Sequence, residues 1–127
     1  MTEEARSRVE GQLEASDLAR RIVDILAEKQ ASDILLLDLQ RISLLADFFV
    51  ICSGNSERQI TALQDEILET LRNNFHRRPY RVEGKPSSGW VLLDYGDVVV
   101  HIFAPAEREF YRLEDVWAHA PAVIRVQ

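Results

Sequence analysis

Apolar residues recur in different rhythms along this chain, and each rhythm predicts a different kind of element. Leu18, Ile22, Ile25 and Leu26 fall on one stripe at helical spacing, which predicts a helix over about 17–30 with Ser16 as its cap. The run at 34–39 is short and almost continuously apolar, as is Phe48-Phe49-Val50-Ile51-Cys52. Both read as strands covered on two faces. Ser53-Gly54-Asn55 breaks the second of them, and Ser56 with Gln59 forms a capping box. Ile60, Leu63, Ile67 and Leu71 then carry a helix to about Asn73. A short strand is expected at 79–83 and a loop at 84–89, by its turn chemistry. Pro105 opens a final helical region with Phe110, Leu113, Val116 and Trp117 as its apolar side, and Pro121 closes it. Together these elements predict an α/β domain, a mixed sheet of about five strands packed by helices. It is expected over 16–120, between a charged leader at 1–15 and a C-terminal tail at 121–127.

Residues 90–103 are the most informative stretch. Two runs rich in Val, Leu, Ile and aromatics flank Tyr95-Gly96, which predicts a β-hairpin with those two residues as its loop. Asp94 then faces Asp97, Leu93 faces Val98, and Trp90 faces His101. Because side chains alternate, Val91, Leu93, Val98, Val100 and Ile102 form one apolar face. The opposite face carries Trp90, His101, Asp94 and Asp97. Two readings of that face stand: solvated turn acids beside a half-exposed Trp, or a surface that receives a basic partner with Trp90 as its aromatic anchor.

Composition narrows the class. The chain has 127 residues, 46% of them hydrophobic, enough for a real core. No apolar run approaches the roughly 20 residues of a membrane span. The start lacks a secretory apolar region, and Glu3, Glu4, Glu10 and Glu14 argue against an organellar transit peptide. Cys52 is the only cysteine, so no internal disulfide forms and a cytoplasmic location is expected. A net charge of −6 disfavours DNA and suits a basic partner.

Catalytic chemistry finds little support. Strand, Ser53-Gly54-Asn55-Ser56, then a helix N-terminus is a geometry that can hold phosphate, as in nucleotidyltransferases. Their chemistry needs clustered carboxylates for two Mg²⁺ ions, and 80–83 contains only one acid. Cys52 follows four apolar residues and reads as a small core hydrophobe. His76, His101 and His119 lack zinc-ligand spacing. No metal, cofactor or enzymatic activity is expected. One basic stretch remains: Arg72, Arg77, Arg78, Arg81 and Lys85, interleaved with Phe75, His76 and Tyr80. It suits an auxiliary RNA contact through Arg77, Arg78, Arg81 and Lys85, while its arginines equally complement the dipole at the end of the preceding helix.

These residues carry a resemblance. Asp38-Leu39, the segment 47–56, Glu83-Gly84, the segment 90–103 and the run 108–117 resemble, in order, the Iojap family of ribosomal silencing factors. The Trp-to-Phe hairpin followed by Arg-x-Phe-Tyr-x-Leu-Glu is the specific part. The resemblance implies a nucleotidyltransferase-like fold without the catalytic carboxylates. It also implies binding to the universal large-subunit ribosomal protein L-fourteen. Subunit joining is then blocked sterically, and translation falls when nutrients are scarce. The expected partner-binding residues are Trp90, Asp94, Tyr95, Gly96, Asp97, His101 and Glu83. Family members self-associate, so a homodimer is compatible with the resemblance. Two alternatives belong to other classes: nucleotide binding at 53–56, and an RNA-binding assembly factor using 72–85.

Overall fold

The first apolar stripe winds into helix α1 (Ala15–Glu28) in a computed structural model that describes residues 14–127. The leader expected at 1–15 thus lies outside the described residues up to position 13. Ser16 does not cap this helix. The helix begins two residues earlier, with Glu14 as N-cap and its carbonyl accepting from Leu18 N at 2.9 Å, which leaves Ser16 inside the first turn. Leu18, Ala19, Ile22, Val23, Ile25 and Leu26 are buried, as the stripe requires.

Strands β1 (Ser32–Asp38) and β2 (Phe48–Ser53) follow, then helix α2 (Glu57–Phe75). Ser56 Oγ accepts from Gln59 N at 3.0 Å, while the Gln59 side chain reaches one residue further back, accepting from Asn55 N at 2.6 Å. Strand β3 (Arg81–Glu83), a 3₁₀ turn at Pro86–Ser88, and strands β4 (Trp90–Asp94) and β5 (Val98–Phe103) come next. The final region is two short helices, α3 (Pro105–Tyr111) and α4 (Leu113–Val116), before strand β6 (Ala122–Val126).

The sheet has six strands in the order β3-β4-β5-β2-β1-β6. Only β2 and β5 run parallel; the other neighbours are antiparallel. The sixth strand corrects the expected tail at 121–127. Its β-branched residues pair with the edge of β1, Ile34 with Val126 and Leu36 with Ile124, after Pro121 O has accepted from Asp38 N at 2.9 Å.

Helices α1 and α2 cover one face of the sheet. There Ile34, Leu36, Val50, Cys52, Val91, Leu93, Val100 and Ile102 form the main core with the helical stripes. The apolar hairpin face is therefore as expected, and Cys52 is a core residue whose thiol burial pushes up to about 12.

The hairpin register differs from expectation by two residues. Val99 pairs with Asp94 and Phe103 with Trp90, while Tyr95 N donates to Val98 O at 2.9 Å. The loop is thus Gly96-Asp97, with Gly96 at φ 88° in the first central position, the place a type II′ hairpin turn reserves for glycine. A shift of two keeps every side chain on its face, but Asp94 and Asp97 no longer oppose each other. The last helical region also departs from expectation. Arg112 at φ 45° breaks it in two, leaving Phe110 and Val116 exposed while Leu113 and Trp117 pack against the sheet.

Candidate functional site

The register aligns three rows of side chains across the second face of the sheet. One runs Leu37, Phe49, Val99, Asp94, Arg81; the next Leu35, Ile51, His101, Leu92, Glu83; the third Ser53, Phe103, Trp90. Leu113, Trp117 and Ala120 cover the β1 and β2 half of this face, with Phe49 and Trp117 ring centroids 5.4 Å apart. The β4 and β3 half stays open. Trp90, Leu92 and Asp94 are half-buried there, and Arg81 and Glu83 are exposed.

Trp90 anchors that open half. Its ring stacks on Phe103 at 4.8 Å and meets Tyr111 at 4.6 Å, and its Nε1–H donates to His101 Nδ1 at 3.3 Å. Beside it lies a groove of about 300 Å³ lined by Glu83, Gly84, Ser88, Trp90, Leu92 and Tyr111. Gly84 belongs to this wall for a steric reason. Its φ is +79°, and a Cβ there would come within 2.0 Å of the Trp90 carbonyl oxygen.

The structure thus brings Trp90, Glu83 and Asp94 together on one open surface. It places the other expected partner-binding residues differently. Tyr95 is turned into the helix-side core at 1% exposure, because its ring completes the apolar face that Leu93 begins. His101 is 3% exposed beneath Trp90 and Phe49. Burial pushes its pKa down to about 4, against a smaller opposing pull from Asp94. It is therefore a neutral support for Trp90. Asp97 and Gly96 form the turn at the far end of the hairpin.

Neither hairpin acid waits for an outside cation. Asp97 takes Arg77 Nη2 at 2.9 Å, the same guanidinium donating to Tyr95 O at 3.0 Å. Asp94 takes Arg81 Nε at 3.1 Å, and Arg81 also reaches Glu83 at 3.0 Å. The basic stretch is accordingly half spent. Arg77 and Arg81 neutralise the hairpin, while Arg78 and Lys85 have no ion-pair partner among the described residues. Phe75 packs against the core, so of the interleaved aromatics Tyr80 presents an open ring.

The strand-to-helix turn at 53–56 is also occupied by the chain's own groups. Arg108 donates to Ser53 Oγ at 2.9 Å, to Asp33 O at 2.6 Å and to Glu114 at 3.0 Å. Asn55 and Gln59 N–H groups already have side-chain acceptors. The cleft there, about 520 Å³, sets Arg108, Arg112 and Arg125 against Asp33, Glu109, Glu114 and Asp115. With more acids than cations and its central arginine already bonded through Nε and Nη1, this cleft is a poor receptor for a phosphate. Among the described residues, no three His, Cys, Asp or Glu stand together as metal ligands.

Residue-level reading missed Leu92, Tyr111 and Arg108. Tyr111 and Arg108 lie inside the matched run 108–117, but only the three-dimensional packing shows one walling the groove and the other fastening the helices above it.

Comparison with known proteins gives this geometry its family. The profile described as "Ribosomal silencing factor during starvation" matches residues 12–127. The ribosomal silencing factor RsfS of Bacillus subtilis is 47% identical over 94 residues, covering 74% of this chain and 79% of that one. A mouse protein named "Mitochondrial assembly of ribosomal large subunit protein 1" is 33% identical, over 76% of this chain and 43% of its own. A crystal structure from Chromobacterium violaceum superposes with a TM-score of 0.78 at 31% identity, covering 84% of this chain and 88% of that one. The resemblance seen in the hairpin and the 108–117 run extends over nearly the whole sequence, and the chain belongs to the family of ribosomal silencing factors.

Proposed function

We propose that this protein lowers translation by binding the large ribosomal subunit through its universal protein L-fourteen and sterically blocking the small subunit. On this reading it acts in the cytoplasm, notably when nutrients are limiting. The observation that carries the site is the half-covered outer face, where Trp90 and Leu92 sit in an open groove beside Glu83 and Asp94. A net charge of −6 favours a basic ribosomal protein as partner. The names of the relatives, which speak of ribosome silencing and of large-subunit assembly, support the same target.

The mechanism is occupancy rather than turnover. Two side chains that could serve nucleophile or base chemistry are buried, Cys52 with its thiol pushed up to about 12 and His101 pushed down to about 4. Sedimentation of purified subunits with increasing protein tests this. The associated fraction should fall in proportion to protein bound, reaching its floor near one molecule per large subunit. Trp90→Ala should relieve the effect, an exposed-face anchor of this kind being worth about 2 kcal/mol or more of binding. Inhibition far below stoichiometry, or chemical modification of a ribosomal component, would overturn the steric mechanism.

A further inference from the structure

We propose that the groove walled by Trp90 and Tyr111 is a receptor for a single arginine side chain of the partner protein, with Glu83 as its counter-ion. This rests on the reading of the open face as the docking surface and specifies the chemistry of its central contact. At about 300 Å³ the groove lies at the small end of ligand cavities, a size for one long side chain rather than a folded element. Trp90 and Tyr111 meet at 4.6 Å with 49° between their planes, so the two rings touch and make one aromatic wall of the groove, with Leu92 and Glu83 in the rest of its lining. A guanidinium packs against such an aromatic wall while its stem covers the apolar lining.

The polar end of the groove selects charge. Glu83 stands opposite Leu92 in the register and shares its face. An apolar side chain entering alone would desolvate this carboxylate without replacing its water. An acidic one would meet Glu83 and Asp94 together. A cation satisfies it.

The free protein already shows which cation fits. Arg81 lies across this edge, holding Glu83 through Nη1 at 3.0 Å and Asp94 through Nε at 3.1 Å. Its bond to Glu83 joins two side chains that are each more than half exposed, a pair of the kind that contributes little. An incoming guanidinium takes Glu83, and Arg81 keeps Asp94. The exchange therefore strands no charge. Arginine is favoured over lysine because its planar fork matches a carboxylate, stacks on aromatics and is more weakly hydrated than an ammonium. The receptor is held ready beforehand, since the Trp90 indole is locked by His101 below and Phe103 beside it.

The test follows the two tryptophan indole N–H signals by NMR, assigned with a Trp117→Phe variant. The full-length protein is titrated with acetyl-Gly-Arg-Gly-amide, its lysine counterpart and its citrulline counterpart. The arginine peptide should move the Trp90 signal saturably in the millimolar range and leave Trp117 in place. Lysine should bind several-fold more weakly and citrulline not at all. Glu83→Gln, at an exposed position, should weaken the arginine peptide about fivefold, the effect of losing roughly 1 kcal/mol. Equal shifts from arginine and citrulline, or from arginine and lysine, would overturn the proposal. Sedimentation with large subunits separates the two claims. Glu83→Gln and Tyr111→Leu variants that bind subunits as tightly as the wild type refute the arginine receptor and spare the docking face. Wild-type protein that fails to bind them at all refutes the docking face itself.

Discussion

Trp90 and His101 are joined by a hydrogen bond, indole Nε1–H to imidazole Nδ1 at 3.3 Å, although they belong to different cross-strand pairs of the hairpin. The bond fixes the neutral tautomer, with the ring proton on Nε2, and that atom is buried with no hydrogen-bond partner among the described residues. Protonating the ring would place a charge among Phe49, Trp90 and Phe103. Its pKa of about 4 lies below the ordinary 6.5, so the unfolded chain binds this proton first. Stability from neutral His101 is intact above pH 6.5 and is lost as pH falls from there towards 4. Between pH 7 and pH 5 the loss is about 2 kcal/mol. Urea titrations at the two values should show it, and His101→Phe should remove about that much of the difference.

The hairpin also shows what the sequence made legible. Its faces were readable because alternation needs only parity, and a shift of two residues preserves parity. Its register was not, because Tyr95 looks like a turn residue beside Gly96 until its ring is seen filling the core. The consequence for the site was large: the opposed acids became two internally neutralised ones. Strand β6 escaped for a different reason. Its partner β1 lies far away in sequence, and no local turn announces the pairing. The split of the last helical region at Arg112 depends on a positive φ at a residue that rarely adopts one. Trp90 and Glu83 could be singled out beforehand because the first is aromatic on a charged strand face and the second sits in a matched motif. Leu92 and Tyr111 look like ordinary apolar residues until the open half of the sheet is visible.

Arg77 and Asp97 form an ion pair within the fold. Both side chains are less than a third exposed, and Arg77 also holds the Tyr95 carbonyl. A double-mutant cycle with Arg77→Ala and Asp97→Ala should give a coupling of about 1 kcal/mol in thermal or urea unfolding. The exposed Arg81–Glu83 pair should give a coupling near zero in the same measurement. Asp97→Lys is consequently expected to lower stability, which makes Asp94→Lys the cleaner probe of partner binding.

Gly84 and Gly54 should respond differently to a methyl group. At Gly84 the added Cβ meets the Trp90 carbonyl oxygen at 2.0 Å on a backbone with φ +79°. Gly84→Ala should cost about 2–4 kcal/mol, since both the strain and the clash involve backbone. At Gly54 the nearest atom is the Ile60 side chain at 2.8 Å, and no positive φ is involved. Gly54→Ala should cost about half as much or less, because a side chain gives way more readily than a strand. The melting temperatures of the two variants decide this, and the reverse order would show that the turn at 53–56 is the tighter one.

Arg108 fastens the C-terminal helices over the outer face. Its side chain is 12% exposed and ties α3 to the ends of β1 and β2 through Asp33 O and Ser53 Oγ, and to α4 through Glu114. Tyr111 follows it on α3, and Leu113 and Trp117 flank Glu114, so the same bonds hold the residues that wall the groove and cover the sheet. Removing the guanidinium leaves Glu114 without its cation and Ser53 without its donor. Arg108→Ala should therefore cost about 2 kcal/mol, in the range for losing part-buried hydrogen bonds to a charged group. Arg108→Lys should restore only part of that, since an ammonium cannot span three acceptors set around a planar fork. The variant should keep its far-ultraviolet circular dichroism below the melting temperature. Its tryptophan emission should shift to the red as Trp90 and Trp117 gain water. Its affinity for large subunits should fall even at temperatures where the sheet remains folded. Loss of stability with unchanged tryptophan emission and unchanged subunit affinity would show that Arg108 secures the fold without shaping the open face.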